Sequence, residues 1–102
     1  MEITTKNQSI KSVPINPFEE AWKIEDVSIL LEYYRHNNRI VLGGDILNER
    51  FEHTYDNWYY NIDTAQDSLS NLNNSIVKAN EYVTRYIEKN GNNYYVSVVI
   101  KE

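Results

Sequence analysis

The stretch IVLGGDILNERFEHTYDNWYYNI, residues 40–62, decides the fold, because it contains two extended segments and the turn that joins them. Its β-branched start leads into Gly43 and Gly44, which can adopt backbone conformations closed to other residues and so favour a kink or bulge in a strand. Residues 48–50 are typical of a hairpin loop. Residues 51–62 are rich in aromatic side chains and predict a long second strand. The stretch therefore predicts an antiparallel hairpin.

The long second strand has two chemically different faces, because successive side chains point to opposite sides of a sheet. One face would carry His53, Tyr55, Asn57 and Tyr59, and the other Thr54, Asp56, Trp58 and Tyr60. One of these faces must serve the core. We expect Gly43, Gly44 and Trp58 to be the structural part of the hairpin, with Trp58 packed in the core.

Apolar residues on either side of the hairpin recur every three or four positions, which predicts two amphipathic helices. The first starts at Glu25 and ends at residues 36–38, where asparagine can adopt the left-handed conformation that stops a helix. The second follows a capping-box pattern formed by Thr64 and Asp67, and it ends at Gly91.

The two ends of the chain complete the predicted elements. Residues 1–16 show no sustained periodicity, and we expect them to be flexible or packed along a sheet edge. Asn16 followed by Pro17 is the arrangement that opens a helix, which predicts a helical turn reaching Trp22. Residues 94–100 are apolar at nearly every position, as in a central strand that is covered on both faces.

Together these elements predict a single α+β domain over residues 17–102, with a small, mostly antiparallel sheet of three or four strands and two main helices packed on one face. The chain contains no cysteine, which fits a reducing compartment, and residues 1–11 lack the apolar core of an export signal. We therefore expect a cytoplasmic protein. No apolar run approaches the roughly 20 residues that span a bilayer, so no membrane partner is expected.

The charge of the chain indicates what kind of partner it attracts. The formal net charge is −5, and the acidic residues are spread along the sequence rather than gathered in blocks. Such a surface repels nucleic acid and speeds encounter with basic molecules. We expect no nucleic-acid partner and a protein partner with a basic surface.

The reactive side chains form no recognisable catalytic or cofactor constellation. His36 and His53 have no neighbouring nucleophile or carboxylate at a familiar spacing. Four carboxylates flank the hairpin at a spacing that matches no known metal-binding loop: Asp45, Glu49, Glu52 and Asp56. We predict no catalytic residue, no metal and no cofactor. One alternative stays open, a small acid/base enzyme that uses Asp45 with Asp56 and His53.

The hairpin also mixes aromatic rings with hydrogen-bonding groups, as recognition surfaces do. The candidates for contact with a partner are Asp45, Glu52, Tyr55, Asp56 and Tyr59. We interpret these residues as binding groups rather than catalytic groups. An alternative of another class is a small regulatory or scaffold module that pairs through an exposed sheet edge, either with another protein or weakly with a second copy of itself.

Three separated blocks of sequence support a more specific interpretation. They are Ile40-Val41-Leu42-Gly43-Gly44-Asp45-Ile46, then Thr54-Tyr55-Asp56-Asn57-Trp58-Tyr59, then Ser75 with Ala79 and Tyr82 on the second helix. This pattern resembles immunity protein family 40 of bacterial polymorphic toxin systems, over residues 22–95. The resemblance implies a cytoplasmic antidote that binds a cognate toxin and blocks its active site or folding, without catalysis. The five candidate contact residues would then bind the toxin.

Overall fold

Five strands form one antiparallel sheet, two further strands form a separate hairpin, and two helices complete an α+β fold in a computed structural model that describes residues 1–102. The elements in chain order are β1 (Glu2–Thr4), β2 (Ser9–Lys11), β3 (Val13–Asn16), β4 (Glu19–Lys23), a 3-10 turn (Ile24–Asp26), α1 (Val27–His36), β5 (Val41–Leu47), β6 (His53–Tyr59), α2 (Ser68–Asn90) and β7 (Tyr95–Ile100).

The large sheet has the strand order β3-β4-β7-β5-β6, so β7 is its central strand, as the sequence predicted. The prediction of three or four strands is wrong, because β3 and β4 extend the sheet beyond β7. These two strands come from the first 23 residues, whose short segments show little periodicity. Their place in the sheet depends on pairing with β7, more than 70 residues away along the chain.

The N-terminal residues are extended where the sequence suggested a helical turn. β1 pairs with β2, and Ile3 and Ile10 of this hairpin are buried. The predicted helical turn after Asn16 is wrong, because the Oδ1 atom of Asn16 accepts a 2.9 Å hydrogen bond from the Phe18 backbone N–H and closes a tight turn between β3 and β4. Asparagine followed by proline suits both structures. Trp22 lies instead in β4, opposite Val96.

The two predicted helices are confirmed, with small differences at their starts. α1 ends as expected, with Asn38 in the left-handed region at a φ of 55°. The predicted capping box that starts at Thr64 is wrong, because Asp67 is the N-cap residue of α2. Its carboxylate accepts a 2.7 Å hydrogen bond from the Ser70 backbone N–H. Hydrogen bonds from Ser70 also lower the pKa of Asp67. This interaction satisfies one of the free N–H groups at the helix start.

Both helices contribute to one buried cluster with alternate residues of the strands, so they share one face of the large sheet. The cluster includes Leu30, Leu31, Ile76, Ala79, Trp22, Ile46, Trp58 and Val96. We call this the core face. The opposite face of the sheet, which we call the outer face, carries Gly43, Asp45, Asn57, Tyr59, Ser97 and Val99, as the cross-strand pairs show.

A buried serine ties α2 to the first strand of the central hairpin. The Ser75 hydroxyl accepts a 3.1 Å hydrogen bond from the Val41 backbone N–H and donates to the Leu72 carbonyl at 2.9 Å. Both Ser75 and Val41 are buried. We expect Ser75→Ala to lower the free energy of unfolding by about 1.5 kcal/mol, because it leaves a buried strand amide without an acceptor. Chemical denaturation checks this, and a cost equal to that of Ser68→Ala, at an exposed position of the same helix, would contradict it.

Candidate partner-binding surface

The two adjacent glycines of β5 make room for Trp58. A Cβ atom on Gly44 would overlap the Cη2 and Cζ3 atoms of the Trp58 ring, and a Cβ on Gly43 would overlap the Trp58 carbonyl oxygen. The ring packs against Tyr82 of α2, with centroids 5.1 Å apart. Its Nε1 atom is buried without a hydrogen-bond partner. The glycine pair and the tryptophan therefore form one packing unit, with Trp58 in the core as the sequence predicted.

Asp56 lies on the helix side of β6 rather than beside Asp45. The Tyr86 hydroxyl of α2 donates a 2.9 Å hydrogen bond to the Asp56 carboxylate. Burial, followed by this hydrogen bond, raises the pKa of Tyr86 to about 12, which keeps its hydroxyl protonated as a donor further into the alkaline range. Asp56 is exposed, but one of its carboxylate oxygens is already engaged.

Asp45 and Tyr59 share the outer face, where no helix packs. Asp45 lies between Asn57 of β6 and Ser97 of β7, and it is half-buried. In the next cross-strand row, Gly43 lies between Tyr59 and Val99. Since glycine has no side chain, nothing fills the space between the Tyr59 and Val99 side chains, and both are well exposed. A partner surface can therefore reach their apolar atoms directly.

The other two candidates lie towards the hairpin end. Tyr55 is 89% exposed and has a φ of 69°, in the left-handed region that a bulky residue rarely adopts. It marks a bulge in β6, because three β6 residues separate the pairs of Asp45 and Leu47, where β5 has one. Glu52 is exposed in the loop, where its carboxylate accepts a 3.0 Å hydrogen bond from the Asn48 side chain.

The structure adds residues to this surface that sequence reasoning missed. Val99 is the clearest case, because the prediction that the C-terminal strand is covered on both faces is wrong there. Its place could have been found from alternation, since Val96 and Val98 face the core and Val99 must then face outwards. Phe18 is 98% exposed at the turn between β3 and β4. That turn follows from a strand pairing that no local signal predicted.

The acid–base grouping that the sequence left open is not assembled. Asp45 projects from the outer face, whereas Asp56 contacts Tyr86 on the helix side. His53 is exposed and pairs with Leu47 at the far end of the hairpin. No group of three or more histidine, aspartate or glutamate side chains comes close enough to hold a metal ion. The arrangement offers contact groups on a surface rather than a pocket that surrounds a reacting atom.

No helix has both the length and the apolar content needed to cross a membrane.

Comparison with known proteins gives one positive finding. No curated protein and no solved structure is found to match the chain. The sequence pattern of the family described as Immunity protein 40 matches residues 10–100 of the 102 residues. The matched range contains both helices and every strand of the large sheet. The resemblance carried by the three sequence blocks is thereby confirmed, and the chain belongs to the immunity protein 40 family.

Proposed function

We propose that this chain binds and neutralises a cognate bacterial polymorphic toxin in the cytoplasm, through protein–protein contact and without catalysis. Family membership supports an immunity role. The observation that carries the proposal is the outer face of the sheet, where Tyr59 and Val99 are exposed beside Asp45 and no helix packs. Exposed tyrosine contributes large contact area at low conformational cost, and it is enriched at interface hot spots.

The charge of the chain supports a basic surface on the toxin. A net charge of −5 gives a long-range attraction that raises the rate of encounter with a cationic partner. Asp45 accepts no salt bridge from within the chain, since the only two salt bridges involve Glu20 and Glu32. Its carboxylate is therefore available to a lysine or arginine of the toxin.

The candidate residues would contribute unequally to binding. Tyr59 and Val99 would supply buried apolar area at the centre of the contact, and Asp45 would fix its register through a charge-assisted hydrogen bond. Tyr55 would extend the contact at the bulge. Glu52 and Asp56 would lie at the rim, where exposed charges change the rate of association more than the affinity. The bound chain would neutralise the toxin by sterically blocking its active site.

Coexpression with the toxin domain encoded beside this gene tests the proposal. We expect the chain to rescue growth and to copurify with that domain in equal amounts. A chain that neither rescues the cells nor copurifies would overturn the proposal. Rescue without copurification would also overturn it, because it would point to chemistry on the toxin's product or target rather than to contact.

The strained backbone at Tyr55 allows a sharper test of its role. We expect Tyr55→Gly to raise the free energy of unfolding by about 1 kcal/mol, because glycine adopts a positive φ without steric cost. The same change should weaken toxin binding, because it removes the exposed ring. Denaturation and isothermal titration calorimetry measure the two effects separately. A variant that is less stable, or that binds the toxin as tightly as the native chain, would show that Tyr55 is structural.

A further inference from the structure

The C-terminal half of the central strand β7 has no paired strand on its β4 side. β4 pairs with β7 only through Trp22↔Val96 and Lys23↔Tyr95, and beyond Val96 the two strands separate. An open cleft of about 980 Å³ lies at this fork, lined by the turn between β3 and β4, by residues 97–100 of β7 and by Tyr33, Tyr34 and Asn37 at the end of α1. The fork is a sheet position that the chain itself leaves unfilled.

The backbone of β7 turns two residues towards this cleft. The Ile24 N–H donates to the Tyr94 carbonyl at 3.0 Å, and the Lys101 N–H donates to the Ile40 carbonyl at 2.9 Å. Because hydrogen-bonding directions alternate along a strand, Val98 and Ile100 face β4 rather than β5. β4 offers no partner to either residue. Their N–H and C=O groups are therefore free to pair with another chain.

We propose that this cleft accepts an extended segment of the partner protein, which adds a strand to β7 by pairing with Val98 and Ile100. The identity of the partner as a toxin rests on the function proposed above. Main-chain donors and acceptors at strand spacing select an extended polypeptide over a helix or a small molecule. The half-buried side chains of Val98 and Ile100 would pack against apolar side chains on one face of that segment.

The charges at the two ends of the cleft favour one pattern of charges in the added strand. At the closed end, the Glu19 carboxylate accepts hydrogen bonds from the Ser97 hydroxyl at 3.1 Å and the Asn16 amide at 3.1 Å, with no cation in contact. At the other end, Arg39 donates to the Lys101 carbonyl. Ser97 and Lys101, which Glu19 and Arg39 contact, are four residues apart along the chain, or about 13 Å in an extended strand. A segment with a basic residue opposite Glu19 and an acidic residue opposite Arg39 fits best.

The outer edges of the sheet are less suited to strand addition. β6 carries the bulge at Tyr55 and exposed charged side chains, and β3 contains Pro14, which cannot donate a backbone hydrogen bond. Both features discourage pairing with another strand. Along β7 itself the fork has no proline and no charged side chain, because residues 98–100 are three consecutive β-branched residues. The exposed ring of Phe18 stands at the rim of the cleft and could cover an inserted segment.

Amide hydrogen exchange measured by NMR tests this inference on the full chain, first alone and then with the toxin domain encoded beside it. In the free protein, the Val98 and Ile100 amides should exchange at least tenfold faster than those of Ser97 and Val99, which pair with β5. If all four amides are equally protected in the free protein, the inference is wrong, and this result needs no toxin. In the complex, exchange at Val98 and Ile100 should slow at least tenfold.

The outcomes separate this inference from the proposed function. A complex in which the Val98 and Ile100 amides exchange as in the free chain overturns strand addition and leaves toxin binding intact. The absence of any complex overturns both. As a second measurement, Glu19→Lys should weaken toxin binding about tenfold. The matched control is Glu88→Lys, an equal charge change at an exposed position of α2, and an equal loss of affinity in both variants would overturn the predicted charge pattern of the segment.

Discussion

Gly44→Ala is expected to lower the free energy of unfolding by about 3 kcal/mol, because the added methyl group overfills a closely packed site. The added Cβ would overlap two atoms of the Trp58 ring and approach the Ser97 carbonyl oxygen at 3.1 Å. The ring cannot move aside easily, because it is buried and packs against Tyr82. Urea denaturation at neutral pH measures the loss.

A second substitution decides whether the Trp58 ring is the cause. Trp58→Phe removes the two ring atoms that meet the new methyl group, and it also removes the buried indole N–H that has no hydrogen-bond partner. The double variant Gly44→Ala/Trp58→Phe should therefore be more stable than Gly44→Ala alone. Additive losses in a double-mutant cycle would contradict the packing unit described here.

Tyr59→Ala is expected to weaken toxin binding about 30-fold, or about 2 kcal/mol, with little change in stability. Tyr59 is 67% exposed on the outer face, so truncation removes contact area for a partner and little core packing. Leu69→Ala is the matched control, because Leu69 is a large apolar residue that is 62% exposed on α2. That variant should bind the toxin within about twofold of the native chain. Surface plasmon resonance measures both affinities.

Either of two results would change the interpretation of this surface. An equal loss of affinity in Tyr59→Ala and Leu69→Ala would show that the toxin does not select the outer face. A fall in thermal stability of Tyr59→Ala as large as its loss in binding would show that Tyr59 supports the fold. In the expected case, the melting temperature stays constant while the affinity falls.

Local patterns predicted the elements whose signals lie within a few residues. The hairpin around Gly43 and Gly44, the stop of α1 at Asn38 and the central position of β7 were all accessible from the sequence. β4 was not, because Asn16 and Pro17 favour a helix start and a turn equally well. Only the distant pairing of Trp22 with Val96 decides between them. Long-range contacts of this kind leave no local periodicity.

The candidate surface was predictable in part for the same reason. Alternation along β6 correctly separated Asp56 and Trp58 from Tyr59, and it placed the tryptophan in the core. The bulge at Tyr55 could not be predicted, because a positive φ at tyrosine contradicts its own preference and is imposed by the register of the neighbouring strand. The roles of the five candidate residues in toxin binding remain predictions, and the variants above test them.

The three blocks that carry the family resemblance meet in one place. Gly44 contacts Trp58, Trp58 packs against Tyr82, and Ser75 accepts the hydrogen bond from Val41. These residues join β5, β6 and α2 into the centre of the domain. The buried residues of the shared pattern therefore describe how the domain is built, and we expect the choice of toxin to depend on exposed positions, such as Tyr59 and Val99.

The burial of both tryptophans has a practical consequence. Trp22 and Trp58 are both shielded from water, on the side of the sheet that faces the helices. Their fluorescence should shift to longer wavelength when the chain unfolds and stay unchanged when another protein covers the opposite side. Emission from the native chain thus gives an internal optical control, without any added dye, that distinguishes a misfolded variant from one that is intact but no longer recognises its target.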